Sequence, residues 1–377
     1  MTIAVNTRLL LKNKLEGIGW FSYETLKRIT TQHPEVNFIF IFDRKYSDEF
    51  IFSPNVTPVV IPPPARHPLL WYAWFEYSVP FVLKKYKADL FLSPDGFLSL
   101  STKIASLPVI HDINFAHKPE DLPKNIAKYY NKYFPLFAQK ASRIATVSEY
   151  SKQDICKTYN ISPNKIDVVY NGINNNYKPL LQSEKLQTKE KYTGGNEYFI
   201  FVGALSPRKN VARLLEAFDA FKNETNSTYK LLIVGDKMFK NADVESVYQA
   251  MKHRESIVFT GRLSPEDLKY VMGAAKALTF VPYFEGFGIP IVEAMACDVP
   301  VITSNITSMP EVAGDAALLI DPYSVNSIKD AMVKIFSNES LCLDLISKAR
   351  IQRNQFSWDK SAERLWTSIE KAINAKL

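Results

Sequence analysis

Two glutamates, Glu285 and Glu293, stand eight residues apart in the stretch EGFGIPIVE, with Gly286, Gly288 and Pro290 between them. A carboxylate pair at this spacing is frequent by chance, and a carboxylate at a helix start is also ordinary capping chemistry. The surroundings give the pair its weight. ALTFVPY reads as a strand ending near Tyr283, and VPVITS reads as the next strand. Between them a helix is expected over about 290–297, with Pro290 at its first position, where a missing N–H costs nothing. Residues 284–289 then form the turn leaving the carboxyl end of a strand, which is where open α/β sheets bind ligands. Gly286 and Gly288 let the backbone come close to a ligand, and the free N–H groups of the helix start favour oxygen-rich or anionic groups. Glu285 projects from the turn, and Glu293, in the first helical turn, reaches the same crevice.

Other residues fall at comparable places. Arg208 and Lys209 lie in SPRKN, the turn after YFIFVGA, with Asn210 able to cap the following helix VARLLEAF. Such a turn is either a solvated surface or a cationic anion site. His111 ends the strand segment LPVIHD, beside Asp112; it is either a structural hydrogen-bonder or a site residue. Gly17 and Gly19 in EGIGWFSYETLKRI are expected just before a helix. They serve either a turn needing positive φ or the approach of a ligand, and without a third glycine they do not make a dinucleotide fingerprint. Arg262, in FTGRLSPEDL, occupies another turn after a strand. His111 and His117 have no third ligand nearby in sequence, so no metal site is expected. No cluster of Asp or His suits Mg²⁺ or Mn²⁺ beside a phosphate, and no cofactor is expected.

Elements that can position these residues recur along the chain. TIAVN, NFIFIFD, ADLFLS and LPVIHD read as buried parallel strands, separated in places by helix-period segments such as 20–31 and 124–140. A second series runs YFIFVGA, KLLIVGD, SIVFTG, ALTFVPY, VPVITS and AALLID, with helical patterns such as VARLLEAFDAF and PEDLKYVMGAA between. This alternation predicts an α/β fold with two doubly wound domains. The expected division is 1–175, 176–355 and a C-terminal amphipathic helix over 356–377, packed at the domain junction. Residues 171–197, polar and without a sustained apolar face, are expected to be a linker. The tract 53–68, with Pro62, Pro63 and Pro64, is expected to be an extended loop.

The bulk numbers bound the function. A length of 377 residues suits about two domains, and 46% hydrophobic residues with charges throughout suit a soluble globular chain. No apolar run approaches the ~20 residues that span a bilayer, and the first residues do not read as a signal peptide. Three widely spaced cysteines form neither a metal pattern nor a disulfide framework, which predicts a reducing, cytoplasmic setting. The net charge of +7 is carried entirely by residues 1–180; the rest is balanced. The excess is either uneven solvation or a first half that meets an anionic membrane or acceptor, the latter placing the protein on the inner face of the membrane as a peripheral partner. The aromatic, basic stretches 69–87 and 124–143 fit either a core with some exposed rings or such a surface. Nucleic acid is not an expected partner, since the lysines are dispersed and no recognition motif is present.

With the flanking segments FVGALSPRKNVARLLEAF, VPVITSNITSMPEVAGDAALLIDP, FSWDKSAERLW and IATVSEYSKQDICKTYNISPNKIDVVYNGIN, the stretch EGFGIPIVE resembles the E-x7-E motif of retaining glycosyltransferases of family 4. The resemblance implies the GT-B architecture, two Rossmann-like domains facing across a cleft, the first for the acceptor and the second for a nucleotide sugar. It implies that Glu285 faces the donor sugar and stabilises positive charge at the anomeric carbon. The backbone of Phe287, Gly288 and Ile289 would touch sugar and phosphate, and Glu293 would bind the ribose hydroxyls. Arg208 and Lys209 would neutralise the leaving diphosphate, and the loop of Gly17 and Gly19 would approach that phosphate from the first domain. His111 would contact donor or acceptor, and the neighbourhood of Arg262 would frame the base. The activity implied is hexose transfer to a glycan or lipid-linked acceptor, with mannose from GDP-mannose preferred, in bacterial surface polysaccharide synthesis. A nucleotide-sugar epimerase of the same architecture and a non-catalytic two-lobed sugar-binding protein remain as alternatives.

Overall fold

The structure is a computed structural model that describes residues 1–235 and 242–375; Asp236, closing the segment KLLIVGD, and the last two residues of the expected C-terminal helix lie outside the described residues. The chain forms two units, Met1–Gly172 with Ser357–Leu377, and Ile173–Phe356. Each is built on a parallel sheet whose strands are short apolar runs. Such runs cannot alternate polar and apolar faces, so they need helices on both sides.

In the first unit the strands are β1 (Thr2–Asn6), β2 (Asn37–Phe42), β3 (Val56–Val60), β4 (Leu90–Ser93) and β5 (Ala105–Pro108). Their order in the sheet is 3-2-1-4-5. A small pair, β6 (Ile144–Thr146) and β7 (Ile166–Val168), lies beyond, with Val109 bridging to Ala145. The tract expected to be an extended loop contains β3. This strand is an edge, where Pro58 removes no ladder bond that the sheet needs. LPVIHD leaves the sheet earlier than expected, at Pro108, so His111 follows the strand rather than ending it.

The C-terminal helix Trp358–Asn374 belongs to the first unit, where it packs on the helix Gly17–Gln32. Trp358 meets Phe21 edge-on at 6.3 Å, Trp366 stacks on His33 at 3.5 Å, and Arg28 bonds Asp359 at 2.6 Å. Gly172 lets this helix dock, because a Cβ there would sit 2.2 Å from the backbone nitrogen of Trp358.

The second unit orders β8 (Tyr198–Val202), β9 (Lys230–Val234), β10 (Ile257–Gly261), β11 (Ala277–Phe280), β12 (Val301–Ser304) and β13 (Ala317–Ile320) as 10-9-8-11-12-13. The expected strand ending near Tyr283 stops at Phe280. The stretch 171–197, expected to be a linker, contains the helix Gln182–Thr193. Its caps explain it: the Glu184 carboxylate accepts from the Leu181 N–H at 2.8 Å, and Gly194 closes the helix in the left-handed conformation. Tyr192 and Lys191 tie it to Asp267, at 3.1 and 3.0 Å. No helix among the described residues is long and apolar enough to cross a membrane.

Candidate active site

In both sheets the direction of winding reverses once, between β1 and β4 in the first unit and between β8 and β11 in the second. Neighbouring loops diverge at such a switch point and leave a crevice at the carboxyl ends of the strands. In the second unit the loops that flank it are those read from the sequence. The turn Pro207–Lys209 follows β8, and Phe284–Gly288 follows β11. The two strands are hydrogen-bonded neighbours.

These loops bring Glu285, Arg208 and Lys209 together. Glu285 is only 8% exposed. Its carboxylate is bonded by the Arg208 guanidinium and lies 2.5 Å from the Lys209 ammonium. The cations are themselves held. Arg208 donates to the Phe284 carbonyl at 3.2 Å, the Arg208 carbonyl accepts from the Tyr283 N–H at 3.0 Å, and Lys209 lies over the Phe280 ring at 4.5 Å. Ser308 fixes the Glu285 carbonyl with a 2.8 Å bond. Burial alone would push the Glu285 carboxyl up; the two cations outweigh it and hold the group below its ordinary value. The result is an ionised carboxylate fixed before any ligand arrives, with two positive charges against it.

Asn210 takes the left-handed conformation and does not cap the next helix through its side chain, as expected from sequence. Its amide instead donates to the Val281 and Pro322 carbonyls at 3.0 and 2.7 Å, stitching the loop after β8 to its neighbours. That use is better for a site, since it fixes the turn that carries both cations.

The helix after the turn is Ile289–Ala296, with Pro290 at its second rather than its first position. Neither position has an intrahelical acceptor to lose. Gly288 has φ +94°, and a Cβ there would lie 2.8 Å from the Met309 methyl, so this position does require glycine. Glu293 sits in the second turn of the helix, not the first. It is partly buried, and burial pushes its carboxyl up to about 8, against a hydrogen bond from the Tyr177 hydroxyl that draws it down. Burial likewise raises Tyr177, so the phenol stays protonated and donates. Glu285 and Glu293 thus have opposite charge states near neutrality: one is held ionised by cations, the other mostly neutral beside a phenol. Tyr177 was missed in the sequence because it lies in the stretch read as linker.

Arg262 is exposed and follows β10, two strands from β8 and therefore roughly 10 Å along the sheet from the switch point. The remaining candidates belong to the first unit. Gly17 and Gly19 are not before a helix but in the first turn of Gly17–Gln32, and neither has positive φ. Gly19 is required for closeness instead: a Cβ would lie 3.1 Å from the Leu9 carbonyl and 3.2 Å from Leu15. His111 follows β5. Its Nε2 donates to the Pro94 carbonyl at 2.9 Å and its ring meets Phe21 edge-on. Burial lowers its pKa despite that bond, so the ring is neutral at neutral pH and presents Nδ1 as an acceptor. Asp112 accepts from the Asn114 N–H at 3.0 Å.

Two residues of the first unit went unnoticed in the sequence. Arg8 follows β1 and Asp95 follows β4, the strands of that unit's switch point. They pair at 2.5 Å while nearly fully buried, with Asn6 bonding Asp95 at 2.8 Å. The signal was available, since both are charged residues directly after apolar strands.

Comparison with known proteins agrees with this architecture. The family model "Glycosyltransferase Family 4" matches residues 16–177, and "Glycosyl transferases group 1" matches residues 182–352. The O-antigen chain mannosyltransferase B of Escherichia coli is 28% identical over 360 residues, covering 93% of this chain and 94% of that protein. The O-antigen chain mannosyltransferase RfbU of Salmonella typhimurium is 28% identical over 75% of each chain. Among solved structures, Anabaena HepE in complex with UDP-glucose superposes with a TM-score of 0.75 at 17% identity, covering 98% of this chain and 99% of that one. The two halves are matched in order by glycosyltransferase models and the fold is shared end to end with a solved structure, so the chain belongs to glycosyltransferase family 4 and has the two-domain GT-B fold.

Proposed function

We propose that the chain is a retaining, metal-independent hexosyltransferase that moves mannose from GDP-mannose to a glycan or lipid-linked acceptor in bacterial surface polysaccharide synthesis. The observation that carries this reading is the ionised Glu285 fixed beside Arg208 and Lys209 at the switch point of the second sheet. The choice of mannose is supported by relatives named as O-antigen mannosyltransferases.

The arrangement suits departure of a nucleoside diphosphate. As the bond from the anomeric carbon to the phosphate oxygen breaks, its electron pair goes to that oxygen. Arg208 and Lys209 offer charge-assisted N–H donors to the growing negative charge and supply the neutralisation a metal ion would otherwise provide. Glu285 stabilises the positive charge left on the sugar carbon. The acceptor hydroxyl attacks from the face the phosphate is leaving, and its proton passes to the departing phosphate oxygen, so the configuration is kept. Glu293, held by the Tyr177 hydroxyl, offers its carboxyl oxygens to the two ribose hydroxyls, each of which can donate.

A thermal-shift panel of nucleotide sugars tests the donor. A ligand at a hundred times its Kd adds about 2.7 kcal/mol to stability. GDP-mannose and GDP should raise Tm in the absence of divalent metal, and UDP sugars should do so weakly. A shift with UDP sugars alone would reassign the donor. No shift with any nucleotide sugar would contradict the transferase reading itself.

A further inference from the structure

The helical segment 68–85 of the first unit is amphipathic in an unusual way. Its inner side carries Trp71, Trp74, Phe75, Val79, Val82 and Leu83, all buried. Its outer side carries Leu69, Tyr72, Tyr77 and Phe81, exposed by 75, 40, 68 and 66%. The outer spacings are three, five and four residues. A five-residue step would turn the side chain away on an α-helix. Here that step falls on a π-helical turn, Trp74–Ser78, which closes bonds five residues apart and keeps the apolar row in line. The rings of Tyr72 and Tyr77 accordingly lie 6.3 Å apart. The row continues onto the helix Lys124–Lys140, where Tyr133 approaches Tyr72 at 6.0 Å and Leu136 is 39% exposed.

The charges around this row are predominantly positive, with Asp89, Glu120 and Asp121 at its margins. Residues 63–88 hold four Lys or Arg and one acid, Glu76; residues 122–148 hold five Lys or Arg and no acid. Glu76 is engaged elsewhere, since its carboxylate accepts from the Leu100 and Ser101 N–H groups at 2.7 and 3.0 Å. Lys84, Lys85, Lys128 and Lys132 are exposed beside the row. Exposed apolar side chains grouped in this way, with Tyr72 joining Tyr77 and Tyr133, mark a binding surface. Its like charges oppose a second copy of the same face, because pairing would bring the lysines together. An anionic bilayer satisfies both features, taking the rings into the headgroup boundary and the lysines against the phosphates.

We propose that the outer face of 68–85, continued by Tyr133 and Leu136, is a peripheral docking surface for anionic membrane. It deepens the reading of a lipid-linked acceptor but is tested without one. Protein is sedimented with phosphatidylcholine vesicles, with and without phosphatidylglycerol, at low and high salt. Binding is expected only to the anionic vesicles and only at low salt, because exposed charges are screened as the Debye length shrinks. The variant Lys84→Glu/Lys85→Glu/Lys132→Glu should weaken it on the order of 100-fold, at about 1 kcal/mol per lysine. Tyr77→Ser/Phe81→Ser should weaken it about 10-fold or more, from the apolar area withdrawn. Both variants should keep the wild-type Tm and GDP-mannose shift, which separates this surface from the donor site. Equal binding to neutral vesicles, or no binding to anionic ones at low salt, would overturn the proposal. So would a concentration-dependent dimer that Tyr77→Ser/Phe81→Ser abolishes, since the row would then be an interface between copies.

Discussion

Glu285→Gln should lower kcat by roughly 10²-fold or more while leaving donor affinity near its wild-type value, measured by steady-state transfer and by nucleotide-sugar binding. Only interactions stronger in the transition state than in the ground state accelerate a reaction. The positive charge at the anomeric carbon exists only there, and loss of one preorganised electrostatic group costs a factor of this size. Two features of the site make the number large. The carboxylate is 8% exposed, so its field is weakly screened, and it is fixed before the reaction by Arg208, Lys209 and the backbone contact of Ser308. Glutamine keeps the shape and removes the charge. A folded Glu285→Gln protein with near-normal kcat would remove Glu285 from the chemistry.

Arg208→Ala should cost both stability and nucleoside diphosphate binding. Removing one partner of a buried ion pair costs about 3–5 kcal/mol, and less than that applies here, because the Arg208 side chain is 28% exposed and Lys209 remains against the same carboxylate. The pH dependence identifies the cause. Glu285 is held below its ordinary 4.5 by the two cations, so the stability it contributes is fully present above that value and is lost as pH falls through the folded pKa. In Arg208→Ala burial weighs more and the carboxyl rises. The variant has less of this stability to lose, and the gap between it and the wild type should narrow as pH falls below 4.5 in denaturant titrations. GDP should bind the variant more weakly at neutral pH, and EDTA should leave wild-type activity intact. A constant stability gap across the acid range would mean that the Arg208 contribution is packing rather than charge, and complete, metal-reversible loss in EDTA would place the neutralising charge on an ion.

What could be read from the sequence depended on how local the cause was. The buried strands were legible because each is an apolar run bounded by turn residues, and two such series give two sheets. The strand Val56–Val60 was hidden by the run Pro62, Pro63 and Pro64 that follows it, and it carries Pro58, which is harmless only at an edge, a property of the whole sheet. The helix Gln182–Thr193 was hidden because it lacks an apolar stripe and depends on Glu184, Gly194 and the distant Asp267. The same division holds for the site. Glu285, Arg208 and Lys209 could be placed after strands from their own neighbourhoods. That both cations would converge on the glutamate depends on β8 and β11 being neighbours, which brings Arg208 to Phe284 across 76 residues of chain. Tyr177, bonded to a glutamate on a helix far along the chain, had no local signal at all.

Transfer of a sugar with retention can be followed in a single experiment. Labelled GDP-mannose is incubated with the protein, without metal, and with lipid-linked glycan acceptor; products are followed by the label, and the anomeric configuration of the new bond is read by NMR. Label is expected in the glycan, joined in the configuration the mannose had on the nucleotide, with very little label transferred by Glu285→Gln. Conversion of the donor into another free nucleotide sugar with no label in the glycan, or a glycan joined with inverted configuration, would contradict it.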